Sequence, residues 1–158
     1  MRHPIAAVLT LATLVGCGSE GPSTPPGATA TFSVSARAVP FRCTPPNCPD
    51  PLPIAIPVLV TESGGIIGGY VTGLDFVLRD EASGNVLGSQ HYDAAQIAAT
   101  PMTLNESNHV YPDAWLEIVA TPFRIPDSER STRTVSVAVT IYDYRGNEHR
   151  QTLNVSLD

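Results

Sequence analysis

From Thr29 onward, apolar and polar residues alternate with a period of two rather than 3.6, which is the mark of strands with one buried face. Thr31–Arg37 puts Phe32, Val34 and Ala36 on one side. Val58–Glu62 reads as a short strand, starting after Pro57 or bulged there, because proline cannot donate to a ladder inside a sheet. Tyr70–Arg79 sets Leu74, Phe76 and Leu78 against Asp75 and Arg79. Val86–Tyr92 follows a turn at Ser83-Gly84-Asn85, and Trp115–Thr121 carries Leu116, Ile118 and Ala120. The clearest alternation comes last. Val135, Val137, Val139 and Ile141 face one way and Thr134, Ser136, Thr140 and Tyr142 the other; Leu153, Val155 and Leu157 repeat the pattern.

Turn residues separate these runs. Gly64-Gly65 and Gly68-Gly69 bracket Ile66-Ile67, and Asp143-Tyr144-Arg145-Gly146-Asn147 joins the last two strands, with Gly146 suited to a left-handed position. Asp93-Ala94-Ala95-Gln96 predicts one or two helical turns, with Asp as N-cap and Gln closing a capping box. Thr100-Pro101 ends them, and Ile97 is placed to plug an end of the fold. The expectation is all-β: a two-sheet antiparallel sandwich of about seven strands with one short helical turn, over residues 29–158. Here Val135-x-Val137-x-Val139-x-Ile141-x-Asp143-x-x-Gly146-Asn147 resembles the penultimate strand and turn of bacterial immunoglobulin-like or fibronectin type III-like domains. Ile66-Ile67-Gly68-Gly69 and Asn85-Val86-Leu87-Gly88 fit strand–turn positions of the same modules. The chain departs from them in lacking an inter-sheet cysteine pair and a Trp on the third strand.

The first seventeen residues follow another rule. Arg2 precedes an apolar run from Ile5 to Val15, diluted only by Thr10 and Thr13. This reads as a secretory signal over 1–16, too short for a comfortable permanent span of about 20 residues. Leu14-Val15-Gly16-Cys17 resembles the lipobox of bacterial lipoproteins. That resemblance implies diacylglyceryl transfer to the Cys17 thiol, cleavage before Cys17, and acylation of the new terminus by palmitate-type chains. Gly18, not Asp, follows Cys17, which in double-membraned bacteria resembles outer-membrane cargo. Residues 17–28 then form the lipidated Cys and a Gly/Ser/Pro-rich tether.

Charge narrows the partners. All nine basic residues are Arg, against fifteen acids, and no basic cluster appears. An acidic chain of this kind does not suit nucleic acid. With Cys17 lipidated, Cys43 and Cys48 are left as a pair in an oxidising compartment, and a local disulfide is expected. Four residues separate them, which is not the spacing of a thiol oxidoreductase. A disulfide and five prolines would stiffen the loop 43–53, either as a protective crossover or as a contact for a partner.

Chemistry is sparse. His91, His109 and His149 have no second His or Cys at ligand spacing, so no metal and no cofactor are expected. Asp143, Asn147 and Glu148 share a turn, as do Asp80 and Glu81; turn geometry explains such residues without calcium. Thr61-Glu62-Ser63-Gly64 is not a nucleophile elbow, and no catalytic residue is assigned. Tyr111 and Trp115, with Phe123 beyond, are the candidate ligand contacts, since exposed aromatics stack on sugars or seat a partner's side chains. The competing assignment puts Trp115 in the core. The sequence thus reads as a lipid-anchored envelope protein, a non-catalytic binding or structural accessory. Its partners would be the membrane through its lipid and another envelope protein or a glycan. The alternatives are a carbohydrate-binding module using its aromatics and a secreted enzyme of unrecognised type.

Overall fold

The computed structural model describes residues 27–40, 48, 50–99, 102–103 and 107–157. The leader, Cys17, most of the tether, Cys43 and Thr100-Pro101 lie outside the described residues. Among the described residues nine strands form, in chain order: β1 Phe32–Ala36, β2 Val39–Pro40, β3 Leu52–Glu62, β4 Gly69–Asp80, β5 Val86–Asp93, β6 His109–Val110, β7 Trp115–Ile125, β8 Arg133–Asp143 and β9 Glu148–Ser156. β2 and β6 are two-residue pairings, and the other seven match the expected count.

Two antiparallel sheets face each other. In the four-stranded sheet, β1 and β2 lie along one side of β3 and β7 along the other; the five-stranded sheet runs β5-β4-β8-β9, with β6 on the start of β4. Lettered A-B-E (β1, β3, β7) and C′-C-F-G (β5, β4, β8, β9), this is the order of an immunoglobulin-like sandwich. The alternation read from the sequence is the core. Ile54, Ile56, Val58 and Val60 of β3 meet Leu74 and Phe76 of β4 and Val135, Val137, Val139 and Ile141 of β8, all at most 1% exposed. Each such side chain contributes roughly 1.5–3 kcal/mol by leaving water. β8 pairs with β9 from Thr134↔Ser156 to Tyr142↔Glu148, so the C-terminal hairpin has the expected register. Val155 and Leu157 are buried, while Leu153 packs half-buried at the edge.

The helix α1, Ala94–Ala98, carries the predicted cap. Asp93 accepts from the Gln96 amide and the Gln96 side chain accepts from the Asp93 amide, each at 2.9 Å. Ile97 is fully buried. A 3-10 helix, Asp127–Thr132, has no counterpart in the sequence reading.

One expectation needs correcting. β3 begins at Leu52, not after Pro57. In an antiparallel ladder a residue's N–H and C=O point to the same neighbour. The Pro57 carbonyl accepts from the Arg37 amide at 3.4 Å, so its nitrogen also faces that side. There β1 has ended at Ala36 and β2 starts only at Val39. The missing donor therefore falls in a gap between strands and costs no ladder bond. The only register shift with β7 is nearby, between Ile54 and Ile56.

Candidate functional site

One end of the sandwich gathers most of the exposed aromatic surface. β1 starts there, β3 ends, and β4, β7 and β9 begin, as the pairings Phe32↔Glu62, Thr61↔Trp115, Tyr70↔Tyr142 and Tyr142↔Glu148 require. The chain enters at the same end, where the Arg145 guanidinium donates to the Ala28 carbonyl at 2.9 Å.

Tyr70 is the centre of the cluster. β6 pairs His109 beside it, with ring centroids 4.1 Å apart and nearly perpendicular; Tyr144 stands edge-on at 5.2 Å, and Tyr111 extends the group at 5.7 Å from His109. The segment 109–111 is thus partly strand. Gly68 makes the cluster possible. Its carbonyl accepts from the Tyr144 amide at 3.1 Å. A Cβ on it would stand 2.3 Å from the Val110 carbonyl and 2.9 Å from the Tyr144 ring. Burial, then the nearby Tyr70 and Tyr111, push the Tyr144 phenol above its ordinary pKa, so that ring carries no charge at neutral pH. Ile66, exposed in the β3–β4 loop, adds aliphatic area.

The two residues singled out from sequence are both outside the core, Tyr111 at 60% and Trp115 at 63% exposure. The core placement of Trp115 is therefore wrong: at the first position of β7 its side chain takes the outward parity, opposite buried Leu116. They do not share one platform, however. Tyr111 joins the cluster of the five-stranded sheet. Trp115 lies on the outer face of the four-stranded sheet, lining a shallow groove of about 290 Å³ with Leu59, Thr61 and Glu117. They flank the turn in which the Ala114 amide donates to the Tyr111 carbonyl. Phe123 is half-buried, against the core and under Gly88.

Beneath this end sit two buried carboxylates. Glu62, 1% exposed, accepts four backbone N–H bonds: Thr31 at 3.2 Å, Gly64 at 2.6 Å, Gly65 at 3.0 Å and Asp113 at 3.0 Å. It ties the entry to β1, the β3–β4 loop and the β6–β7 turn together. Burial alone would raise its pKa, but the four donors outweigh burial and hold it below the usual range. Asp143, 4% exposed, accepts from the Arg145 and Asn147 amides and the Asn147 side chain, each at 2.9 Å, with the His149 ring at 3.3 Å. Burial again opposes ionisation, yet these bonds bring its pKa down to about 2. The candidate calcium oxygens of this turn are thus engaged within the protein, and Glu148 accepts from the Tyr142 hydroxyl.

Other polar contacts lie away from this cluster. His91 and Arg150 meet Asp75 at 2.7 and 3.4 Å on the outer face of the five-stranded sheet. Asp80 holds Ser83 and Arg133. No group of three metal-ligating side chains occurs among the described residues. Sequence reading missed Tyr70, His109 and Tyr144 as companions of Tyr111. The one local signal was Gly68-Gly69 ahead of Tyr70, small residues where another chain segment comes close.

No family model matches the chain, and no curated protein matches it. Among solved structures it is similar to a Bordetella pertussis protein labelled ApaA, with a TM-score of 0.49, 14% identity, and 82% of this chain and 94% of that one covered. It is also similar to a structural-genomics target, with a TM-score of 0.42, 9% identity, and coverage of 80% and 86%. At these values neither likeness speaks to function.

Proposed function

We propose that this protein is a lipid-anchored, non-catalytic binding or structural accessory module of the bacterial cell envelope. Its contact surface is the aromatic end formed by Tyr70, His109, Tyr111 and Tyr144. That exposed aromatic cluster is the observation that carries the reading: exposed apolar surface concentrated in one place marks an interaction site. The anchor rests on Leu14-Val15-Gly16-Cys17, and more than one acyl chain there would hold the protein stably. The Gly18 position supports the outer membrane as destination. A disulfide between Cys43 and Cys48 belongs to the same reading. A carbohydrate-binding role is the second reading, favoured by the exposure of Tyr111 and Trp115 but weakened by their lying on different flanks.

Cys17→Ala tests the anchor. The variant is expected to leave the membrane fraction and to take up no fatty-acid label. A variant that still pelleted with washed membranes and still took label would sink the proposal.

A further inference from the structure

We infer that the aromatic end of the sandwich rests on the lipid–water interface of the membrane that anchors the chain, with Ile66, Tyr111, Tyr144 and Trp115 touching it. The inference rests on Cys17 being lipidated. What carries it is where the described chain starts. Ala28 is bonded to Arg145, the neighbour of Tyr144 in the β8–β9 turn, so the anchor attaches at the aromatic end. From Cys17 to Ala28 is eleven residues, which extended reach at most ~35–40 Å. Strands of eleven or twelve residues, such as β3 and β4, make the sandwich about as long again. Only a tether drawn out to its full length would let the opposite end touch the bilayer, so the aromatic end is the one held nearest it.

The chemistry of the two ends agrees. The far end carries Asp80, Glu81, Asp127, Glu129, Arg130 and Arg133 around two exposed aliphatic residues, Val86 and Leu87, and no exposed aromatic ring among the described residues. The near end shows Ile66, Tyr70, Tyr111, Tyr144 and Trp115, all among the exposed large hydrophobics. Tyr and Trp favour the membrane interface because each joins an apolar ring to a polar tip. Here they stand on both flanks of the end, Tyr111 and Tyr144 on one side and Trp115 on the other. Asp113, Glu117 and Glu148 lie near them with Arg145, more acids than bases, so attraction to anionic headgroups is not the driving force. It need not be strong: a surface tethered this closely meets the bilayer at a millimolar-scale effective concentration, so weak contacts suffice. A surface this weak releases the untethered Cys17→Ala protein on washing.

Trp115 is the chain's single tryptophan and so reports its own depth. Full-length protein purified from membranes is placed in phosphatidylethanolamine–phosphatidylglycerol vesicles with or without bromine high on the acyl chains. Mass spectrometry reads the N-terminus of the same sample. The expected result is a lipid on Cys17, a blue-shifted Trp115 emission, and about a twofold loss of it in brominated vesicles, reduced by the Tyr111→Ser/Tyr144→Ser pair. A lipid on Cys17 with emission indifferent to bromine overturns the docking and leaves the anchor standing. Emission indifferent to bromine but shifted by added peptidoglycan fragments overturns it in favour of a glycan. An N-terminus without lipid removes the anchor and the docking together.

Discussion

The turn of the C-terminal hairpin and the rest of the aromatic end each bury a carboxylate, and they do it in opposite ways. Asp143 is satisfied by its own turn: Arg145, Asn147 and His149 all follow it within six residues. Glu62 is satisfied by three segments, with Thr31 and Asp113 thirty-one and fifty-one residues away. The first is a local device that closes a hairpin whose register the two strands already specify. The second is a clamp that exists only when the sandwich is assembled. The hairpin should therefore depend mainly on its apolar face, and the aromatic end on one charged group.

The largest effect is expected at the apolar face. Val137 is fully buried between Phe76 and Leu153 in the ladder. Val137→Asp loses its burial and strands a charge in the core, a loss of about 4 kcal/mol or more. Ser136→Asp, on the outer face beside Asn154, should cost within ~1 kcal/mol. Urea denaturation of both variants decides it; equal losses would break the inward–outward assignment.

The clamp comes next. Glu62→Gln puts an amide where the Gly65 and Asp113 N–H groups point, and backbone donors cannot turn away. One or two orphaned donors predict a loss of about 2–3 kcal/mol. Asp143→Asn meets partners that can adapt, since the Asn147 amide can flip and the His149 ring can change tautomer, so about 1 kcal/mol is expected. pH sharpens the contrast. Both carboxyls have folded pKa values below their unfolded ones, so their stabilisation is present above the unfolded value and is lost as pH falls through the folded one. For Asp143, at about 2, this amounts to about 2 kcal/mol lost between about pH 5 and pH 2. Glu62 adds to the fall in the same direction. Each variant should flatten its share of a stability–pH curve; a curve unchanged in either would mean that carboxyl is not the ionised hub.

These differences also explain what could be read from the chain. Val135 to Ile141, the Gly146-Asn147 turn and the Asp93–Gln96 capping box are legible because their interactions lie within a few residues of one another. Trp115 was legible only as a choice between core and surface, since strand parity decides it and that parity depends on where β7 begins. Pro57 was misjudged because the gap between β1 and β2 cannot be seen from β3 alone. Glu62 reads as one more polar residue at the end of a strand; nothing nearby announces that Thr31 and Asp113 will point at it. Tyr70, His109 and Tyr144 come from separate strands and turns, and only the pairing of β4 with β6 and β8 brings them together.

The smallest expected effect separates two glycines that a sequence treats alike. Gly146 sits at φ +84° with nothing within 4 Å of a built Cβ. Gly146→Ala should cost about 1 kcal/mol for the left-handed backbone alone, and Gly146→Asn should recover much of it, because Asn tolerates that region. Gly64 has ordinary backbone torsions, but a Cβ there would stand 2.7 Å from the Glu62 Oε1 and 3.2 Å from the Thr29 carbonyl. Gly64→Ala should also cost about 1 kcal/mol, from overpacking against a pinned carboxylate, and Asn should not rescue it. The two costs should part with pH. That of Gly146→Ala stays constant, whereas that of Gly64→Ala shrinks once acid protonates Glu62 and loosens its bonds. Denaturation midpoints of the four variants at neutral and acid pH measure this. A Gly64→Ala cost that persisted unchanged in acid would mean the backbone at Thr29, and not the Glu62 clamp, sets the packing of this end.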